Sequence, residues 1–211
     1  MHRKSHDGPH TTGSVLHGAR WYDLFGTIIS LGRDRAVRRT LVDLAAPTPG
    51  EKVLDVGCGT GTLALALKAG VATGEVHGID ASPEMIEVSA RKAEKARVGI
   101  EFQVALIEAI PYPDATFDLV TSSLMLHHLP DDLKRTAFNE IRRVLKPGGR
   151  FVAMDFAAFG HSPLGHLLAI LGRPRGERMA DTLVPMLRDA GFENVEPLPT
   201  RHKSFAFIRA R

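Results

Sequence analysis

The chain has few of the residues that would point to an extracellular or a membrane protein. Cys58 is the single cysteine among 211 residues, which excludes an internal disulfide and disfavours a zinc site built on cysteines. No apolar run approaches the ~18 residues that a membrane-spanning helix needs. The stretch MHRKSHDGPHTTGS at the start also lacks the apolar centre of a secretory signal. We therefore expect a cytoplasmic protein whose residues 1–14 form a disordered tail.

A strong excess of one charge sign is also missing. The 27 Lys and Arg residues nearly balance the 24 Asp and Glu residues, which leaves a formal net charge of +3. Much of this small excess lies near the two ends of the chain, for example at Arg173, Arg175, Arg201 and Lys203. It predicts a solvated basic rim, with an anionic membrane surface or an anionic substrate as the alternative.

From residue 51 onward, short apolar runs alternate with helix-like segments. This alternation predicts right-handed crossovers, and hence an α/β domain with a mostly parallel sheet and helices on both faces. We expect a helical cap over 15–46 and a ligand-binding domain over 47–211, with a helix that ends at the break Pro147-Gly148-Gly149. The predicted strands are 52–56, 75–80, 100–105, 117–122, 150–155 and 204–208, and the predicted helices of this domain are 60–69, 84–97, 131–145 and 179–190.

The stretch VLDVGCGTG places three glycines directly behind the first predicted strand. A strand, a glycine turn and a helix let the backbone approach a ligand at the helix N-terminus. The glycines are Gly57, Gly59 and Gly61, and Thr62 stands where the third glycine of a dinucleotide turn belongs. Asp80 ends the next strand about 20 residues on, where a carboxylate can accept both hydroxyls of a ribose. The pattern predicts an adenosine-bearing ligand without a pyrophosphate, which disfavours an NAD(P)-dependent oxidoreductase.

Four stretches in order carry a resemblance to a known family. VLDVGCGTG, GIDASPEMIEVSARKA, PYPDATFDLVTSSLMLHHL and EIRRVLKPGGRFVAMDF are similar to the motifs of class I S-adenosylmethionine (SAM) dependent methyltransferases, over residues 51–156. The resemblance implies a Rossmann-like seven-stranded, mostly parallel sheet with an antiparallel last strand. It also implies SAM as the methyl donor and S-adenosyl-L-homocysteine as the product.

The same resemblance assigns residues to the cofactor. The three glycines would flank the methionine part of SAM, and Asp80 would hold the ribose. Asp55 would add negative charge near the ammonium and the sulfonium, which suits SAM better than a pyrophosphate. The complete predicted set is Asp55, Gly57, Cys58, Gly59, Thr60, Gly61, Asp80, Ala81 and Met85 beside the adenine, Leu106, Ile107, Glu108, and Ser122 and Ser123 beside the methionine amine and sulfonium.

One position departs from the family pattern. Relatives often read G-D-A-E-A-L-P after the third strand, where the Asp or Asn accepts a hydrogen bond from the adenine amine. This chain reads ALIEAIP, which puts Leu106 at the polar position. Recognition of adenine then depends on apolar packing, backbone groups or Glu108. We expect weaker hydrogen bonding to the base, with binding of SAM retained.

Four side chains are candidates for handling a proton on the methyl acceptor, which an acidic acceptor such as a phenol requires. They are His127, His128, Asp155 and Tyr22. Each has a structural alternative: His128 recurs in many relatives and fits packing or capping, and His127 has no stronger claim. Asp155 fits a turn or helix-cap acid, and Tyr22 fits a core aromatic residue.

Two stretches indicate the kind of acceptor. Tyr22-Asp23 followed by Ser30-Leu31-Gly32, and RVLKPGGRFVAMDF, resemble the two signatures of the quinone-biosynthesis (demethylmenaquinone and ubiquinone) C-methyltransferases. The second signature usually ends in L-E-F, whereas this chain reads M-D-F, and GCG replaces the usual AGG. We predict a small lipophilic or aromatic acceptor. A phospholipid N-methyltransferase, which shares a similar opening, and a non-catalytic SAM-binding module are the alternatives.

Other sequence features limit the partners. Methyltransferases that act on base amino groups carry a D/N-P-P-Y motif after the fourth strand, where this chain reads TSSLMLHH, so we expect no nucleic-acid substrate. We expect no metal, because carboxylates are not clustered near that strand end.

The apolar run LGHLLAILG behind Ser162-Pro163 fits a helix that covers the core, or a lid that contacts a prenyl chain or a membrane surface. We expect the protein to be a monomer or a homodimer.

Overall fold

The computed structural model describes residues 34–159 and 177–211 of the chain. Most of the predicted cap, the predicted tail 1–14, Tyr22 and the apolar run 164–172 lie outside these residues. The described helices are α1 (Asp34–Ala45), α2 (Thr62–Val71), α3 (Pro83–Ala96), α4 (Asp131–Val144) and α5 (Met179–Asp189), with a short 3-10 helix at Leu126–His128. The strands are β1 (Lys52–Val56), β2 (Glu75–Asp80), β3 (Glu101–Val104), β4 (Phe117–Ser123), β5 (Leu145–Phe156), β6 (Ala158–Phe159), β7 (Glu177–Arg178), β8 (Val195–Leu198) and β9 (Phe205–Ala210).

Seven of the strands form one sheet in the order β3-β2-β1-β4-β5-β9-β8, and β6 pairs with β7 in a separate two-stranded ribbon. Strands β1 to β5 pair in parallel, and β9 runs antiparallel to both β5 and β8. The predicted Rossmann-like sheet, mostly parallel with an antiparallel last strand, is therefore confirmed. Because β1, β2, β4 and β5 all point the same way, their carboxyl ends meet at one edge of the sheet.

Helices cover both faces of this sheet, as predicted. Neighbouring residues of β1 point to opposite faces, because side chains alternate along a strand. Val53 joins a core that includes Leu41 of α1, and Leu54 joins a second core that includes Phe138 of α4 and Leu187 of α5. All five side chains are fully buried, and burying each contributes roughly 1.5–3 kcal/mol relative to exposure.

The helix predicted to end before Pro147-Gly148-Gly149 does end there, to within one residue, but the strand predicted over 150–155 begins earlier, at Leu145. Helix α4 ends at Val144, and Leu145 already has an extended backbone. The three residues lie inside β5, where Phe117 pairs with Leu145 but Leu119 pairs with Arg150. An advance of five residues along β5 thus corresponds to an advance of two residues along β4, so this segment of β5 forms a bulge in the pairing with β4. A break in a helical pattern can therefore mark an irregular strand rather than a loop.

Helix α1 is the described part of the predicted cap. It is held at its C-terminal end by Arg150, whose guanidinium donates to the backbone oxygens of Ala45 and Ala46 at 2.8 Å each. The same guanidinium forms a two-pronged ion pair with Glu51 at 2.7 and 2.9 Å. This contact joins α1 to the start of β1 and to β5, and so fixes the helix against the sheet.

Candidate active site

The glycine turn behind β1 has a backbone that ordinary residues rarely adopt. Gly57, Gly59 and Gly61 have φ angles of +66°, +53° and +74°, in the left-handed region that favours glycine. A Cβ on Gly57 would clash with the side chain of Met125. A Cβ on Gly61 would lie 2.7 Å from the Cβ of Ser89. Both the conformation and the packing of this turn therefore require glycine.

Asp80 ties the glycine turn to the start of α3. Its Oδ2 accepts a hydrogen bond from the Gly59 N–H at 2.9 Å, and its Oδ1 accepts one from the Ser82 N–H at 2.9 Å. Burial raises the pKa of this carboxyl above its usual range, against the effect of the two backbone hydrogen bonds. Each oxygen has a second lone pair, so the carboxylate can accept two further donors.

Two buried oxygen atoms beside this turn have no hydrogen-bond partner among the described residues. Asp55 is 1% exposed, and its Oδ1 accepts a hydrogen bond from the Thr121 hydroxyl at 2.8 Å. The Asp55 Oδ2 and the Ser122 Oγ have no partner within the part of the chain that the structure describes. Val56 pairs with Ser122 across β1 and β4, so the two atoms belong to neighbouring strand ends. An unpaired buried polar atom costs about 1–3 kcal/mol, which points to a polar ligand at this place.

The segment after β3 forms another side of the site. The Ala105 N–H donates to the Asp80 backbone oxygen at 3.0 Å, so this segment begins next to Asp80. Leu106 and Glu108 are half-buried, Ile107 is buried, and Met85 of α3 is 3% exposed. The predicted adenine residues are therefore mainly apolar, as the sequence indicates.

Two side chains of α4 hold the end of that segment. The Arg143 guanidinium donates to the backbone oxygens of Ile110 and Tyr112 at 2.9 and 2.8 Å. The Glu140 carboxylate accepts from the Ile110 N–H at 2.9 Å and also pairs with Arg143. These hydrogen bonds from Arg143 and Glu140 fix the path of the segment that follows the predicted adenine residues.

Lys92 is a residue near the turn that the sequence interpretation missed. Its Nζ donates to the hydroxyls of Thr60 and Thr62 at 2.8 and 3.1 Å, so it joins α3 to the first turn of α2. Thr60 itself is 4% exposed. Lys92 follows Thr60 by 32 residues and Thr62 by 30 residues in the chain, and no motif in the sequence links them.

A second polar group lies at the ends of β4 and β5. His127, in the 3-10 helix after β4, places its Nδ1 2.7 Å from the Oδ1 of Asp155. The His127 N–H also donates to the Asp155 Oδ2 at 3.0 Å. The His128 ring packs on the His127 ring with 3.9 Å between centroids. The structure thus brings together three of the four predicted proton-handling candidates, and Tyr22 lies outside the described residues.

The described residues contain neither a metal cluster nor a membrane-spanning helix. No group of three or more His, Cys, Asp or Glu side chains among them is arranged to hold a metal ion. Within the same ranges, no helix has the length and apolar character needed to cross a bilayer.

Comparison with known proteins identifies relatives of this chain. A family model described as "Methyltransferase domain" matches residues 53–149. The demethylmenaquinone methyltransferase of Thermus thermophilus is 41% identical over 64% of this chain and 60% of the relative. The chain thus spans about three fifths of that relative, and it spans 55% of the corresponding protein of Deinococcus radiodurans.

A longer match and a solved structure complete the comparison. The ubiquinone/menaquinone biosynthesis C-methyltransferase UbiE of Enterobacter sp. is 34% identical over 86% of this chain and 82% of the relative. The crystal structure of a SAM dependent methyltransferase from Aquifex aeolicus superposes with a TM-score of 0.70 at 20% identity, over 92% of this chain and 98% of that one. That structural likeness establishes the fold, and the sequence matches establish the family. The chain therefore belongs to the class I SAM-dependent methyltransferases, close to their quinone-biosynthesis C-methyltransferase group.

Proposed function

We propose that this chain transfers a methyl group from SAM to a carbon atom of a small, lipophilic quinone precursor. The observation that carries the proposal is a pair of buried oxygens beside the glycine turn, Asp55 Oδ2 and Ser122 Oγ, for which residues 34–159 and 177–211 provide no hydrogen-bond partner. Family membership supplies the cofactor: SAM is the methyl donor of class I methyltransferases. The relatives named for demethylmenaquinone and for ubiquinone/menaquinone biosynthesis support the acceptor class.

The chemistry of the residues present fits SAM. SAM offers an ammonium and a sulfonium, and the buried carboxylate of Asp55 and the hydroxyl of Ser122 are acceptors at the end of the neighbouring strands β1 and β4. Opposite charges attract strongly where water is excluded. Asp80 keeps one lone pair on each oxygen for the ribose hydroxyls, and Met85 and Ile107 give the adenine an apolar surface. In this proposal Ala81, Ser123 and the backbone of the glycine turn complete the contacts.

When bound, SAM supplies an electrophilic methyl group for an in-line displacement at the sulfonium. The contribution of the chain is then to position the two reactants and to stabilise charge. The Asp80 carboxylate fixes the glycine turn, and the hydrogen bonds from Arg143 fix the segment after β3. The backbone around the site therefore does not have to reorganise during the reaction. The same proposal places the protein in the cytoplasm, where its single cysteine stays reduced.

A transfer assay tests the proposed function. SAM with a labelled methyl group is incubated with the protein and with demethylmenaquinol, other quinols that lack the ring methyl group, extracted phospholipids or nucleic acid. We expect label in the quinone precursors. Label in phospholipid alone would favour the N-methyltransferase alternative, label only in nucleic acid or protein would contradict a small-molecule acceptor, and binding of SAM without any transfer would favour the non-catalytic module.

The affinity for SAM is expected to rise with pH up to about 7. Burial raises the pKa of Asp55 to about 7, and the charge of Asp80 adds to the effect, against the Thr121 hydrogen bond and the charge of Arg38. The cationic ligand binds the ionised carboxylate more tightly, so protonation below that pKa weakens binding. Linkage to one proton limits the change to about tenfold per pH unit.

Calorimetry between about pH 5.5 and pH 7.5 measures this linkage, with Asp55→Asn as the control. The variant should bind SAM weakly with a shallower dependence on pH, and its residual slope reports Asp80, whose pKa burial also raises. An affinity of the unmodified chain that does not change over this range would contradict the assignment of Asp55.

A further inference from the structure

We propose that His127, oriented by Asp155, removes a proton from a hydroxyl group on the acceptor, and that the acceptor is therefore an aromatic ring with an ionisable hydroxyl. This inference rests on the proposed function and specifies how the same site activates its second substrate. It separates the roles of residues that the sequence leaves equivalent: His127 is the base, Asp155 is a positioning residue, and His128 is neither.

Asp155 is too enclosed to contact a substrate. Its side chain is 0% exposed, and three donors from this chain occupy it. Its Oδ1 accepts from the Phe156 N–H at 2.8 Å and lies 2.7 Å from the His127 Nδ1, and its Oδ2 accepts from the His127 N–H at 3.0 Å. Its carboxylate therefore acts on the reaction through His127.

This contact determines which ring nitrogen of His127 is basic. A nitrogen 2.7 Å from a carboxylate oxygen carries a proton between the two atoms, since two lone pairs at that distance repel. A neutral imidazole then has its proton on Nδ1, and Nε2 is the atom that accepts another. The carboxylate also stabilises the imidazolium formed after proton transfer, as in other acid–histidine pairs.

The surroundings of His127 suit a flat, apolar ring. Phe156 meets the His127 ring edge-on with 5.0 Å between centroids. Phe156 in turn stacks on Phe205, at 5.7 Å and an interplanar angle of 24°. Aromatic side chains favour aromatic partners in stacked or edge-on arrangements, so this pair provides a wall beside the base. His127 and this aromatic pair lie together where β4, β5 and β9 meet.

The contacts between His127 and Asp155 are more than is needed to attach the 3-10 helix to β5. The hydrogen bond from the His127 backbone to Asp155 already ties that helix to β5, and any residue at position 127 would provide it. The second contact, from the ring nitrogen, needs a donor side chain at this position, and the imidazole that makes it is buried, with 7% of the side chain exposed. A role in packing alone does not account for that second contact.

The proposed step balances in atoms and charge. The hydroxyl proton of the acceptor moves to His127 Nε2, and the resulting phenolate carries electron density onto the neighbouring ring carbon. That carbon forms a bond to the methyl group while the carbon–sulfur bond breaks and its electron pair stays on sulfur. The ring carbon then loses its hydrogen as a proton to solvent and regains aromaticity, and the imidazolium returns its proton to the oxygen. One proton is released for each methyl group transferred.

The matched variants His127→Gln and His128→Gln test the base directly. We expect His127→Gln to lower kcat at neutral pH about 100-fold or more, with the dissociation constant of SAM within about twofold of the unmodified value. The lost activity should return as the pH approaches the pKa of the acceptor hydroxyl, because the acceptor then ionises without a base. His128→Gln should keep most of the activity. Equal losses in the two variants, or a loss in His127→Gln that high pH does not restore, would contradict the assignment.

Asp155→Asn tests the positioning role. The amide keeps the shape of the side chain but cannot stabilise the imidazolium, so we expect a lower kcat with little change in KM. An unchanged kcat with reduced protein stability would assign Asp155 to structure alone.

A readout without methyl transfer separates this inference from the proposed function. 4-Nitrophenol absorbs visible light in its ionised form, so its spectrum reports proton removal in the complex with S-adenosyl-L-homocysteine. We expect the ionised band below the free pKa of the phenol with the unmodified chain and with His128→Gln, and its loss with His127→Gln. Absence of this band with the unmodified chain would overturn the role of His127 even if methyl transfer to quinone precursors succeeds. Its presence without any methyl transfer would instead overturn the proposed function.

Discussion

Asp80→Ala is expected to raise the dissociation constant of SAM about 100-fold. The change removes the proposed acceptor for two ribose hydroxyls, and a hydrogen bond to a charged group contributes about 1.5–3 kcal/mol. Since 1.4 kcal/mol corresponds to tenfold in affinity, two such bonds at the lower end of that range, about 1.5 kcal/mol each, give a factor of about 100. The variant also releases the N–H groups of Gly59 and Ser82, which Asp80 now holds, so the glycine turn loses part of its order.

Isothermal titration calorimetry measures this effect, with thermal unfolding as the check on the fold. Asp118→Ala is a matched control because Asp118 also accepts a backbone hydrogen bond, from Lys52 at 2.9 Å, and pairs with Lys146. It lies at the opposite end of the parallel strands, so its removal should leave the affinity for SAM unchanged. Equal affinities of the Asp80→Ala variant and the unmodified chain would show that the ribose does not bind there.

Gly57→Ala is expected to abolish measurable binding of SAM and to lower the melting temperature. The new Cβ would clash with the Met125 side chain and would hold an alanine at a φ of +66°. The left-handed backbone alone costs about 1–2 kcal/mol. Relief of the clash moves Met125 or the turn, and either movement disturbs the backbone that is proposed to face the methionine part of SAM.

Two further variants separate the causes. Gly148→Ala has a similar φ of +79°, and its Cβ would have no described atom within 4 Å apart from those of its chain neighbours, so it should lose stability through the backbone alone and keep the affinity for SAM. The double variant Gly57→Ala with Met125→Ala should regain part of the affinity. A Gly57→Ala variant that binds SAM as the unmodified chain does would contradict the location of the cofactor.

Local signals in the sequence were sufficient for the first half of the sheet. The predicted β2 matches the observed strand from Glu75 to Asp80, because an apolar run with an acid at its end is followed at once by the Ser82 cap of α3. The glycine turn is likewise encoded locally, in residues that are close together in the chain. These are the features that a sequence pattern can contain.

The regions that depend on contacts between distant residues were predicted less well. β8 has four residues and contains Pro197, and a proline argues against a strand except at a sheet edge, where β8 lies. The bulge in β5 depends on its register with β4, which no local signal reveals.

The same limit applies to the candidate site. His127 and Asp155 are 28 residues apart in the chain, and the pairing of β4 with β5 together with the 3-10 helix at the end of β4 brings them together. The sequence places both residues near the carboxyl edge but cannot distinguish His127 from His128. Met125 behind Gly57 and Lys92 beside Thr60 depend in the same way on side-chain packing between separate elements.

Binding of SAM to the full chain, measured by isothermal titration calorimetry, tests the central claim most directly. SAM should bind one site per chain, S-adenosyl-L-homocysteine should displace it, and NAD(H) should not compete. Binding should weaken in the Asp80→Ala variant and persist in the Asp118→Ala variant. A chain that binds NAD(H) and not SAM, or that binds neither, would contradict the assignment of this glycine turn to a methyl donor.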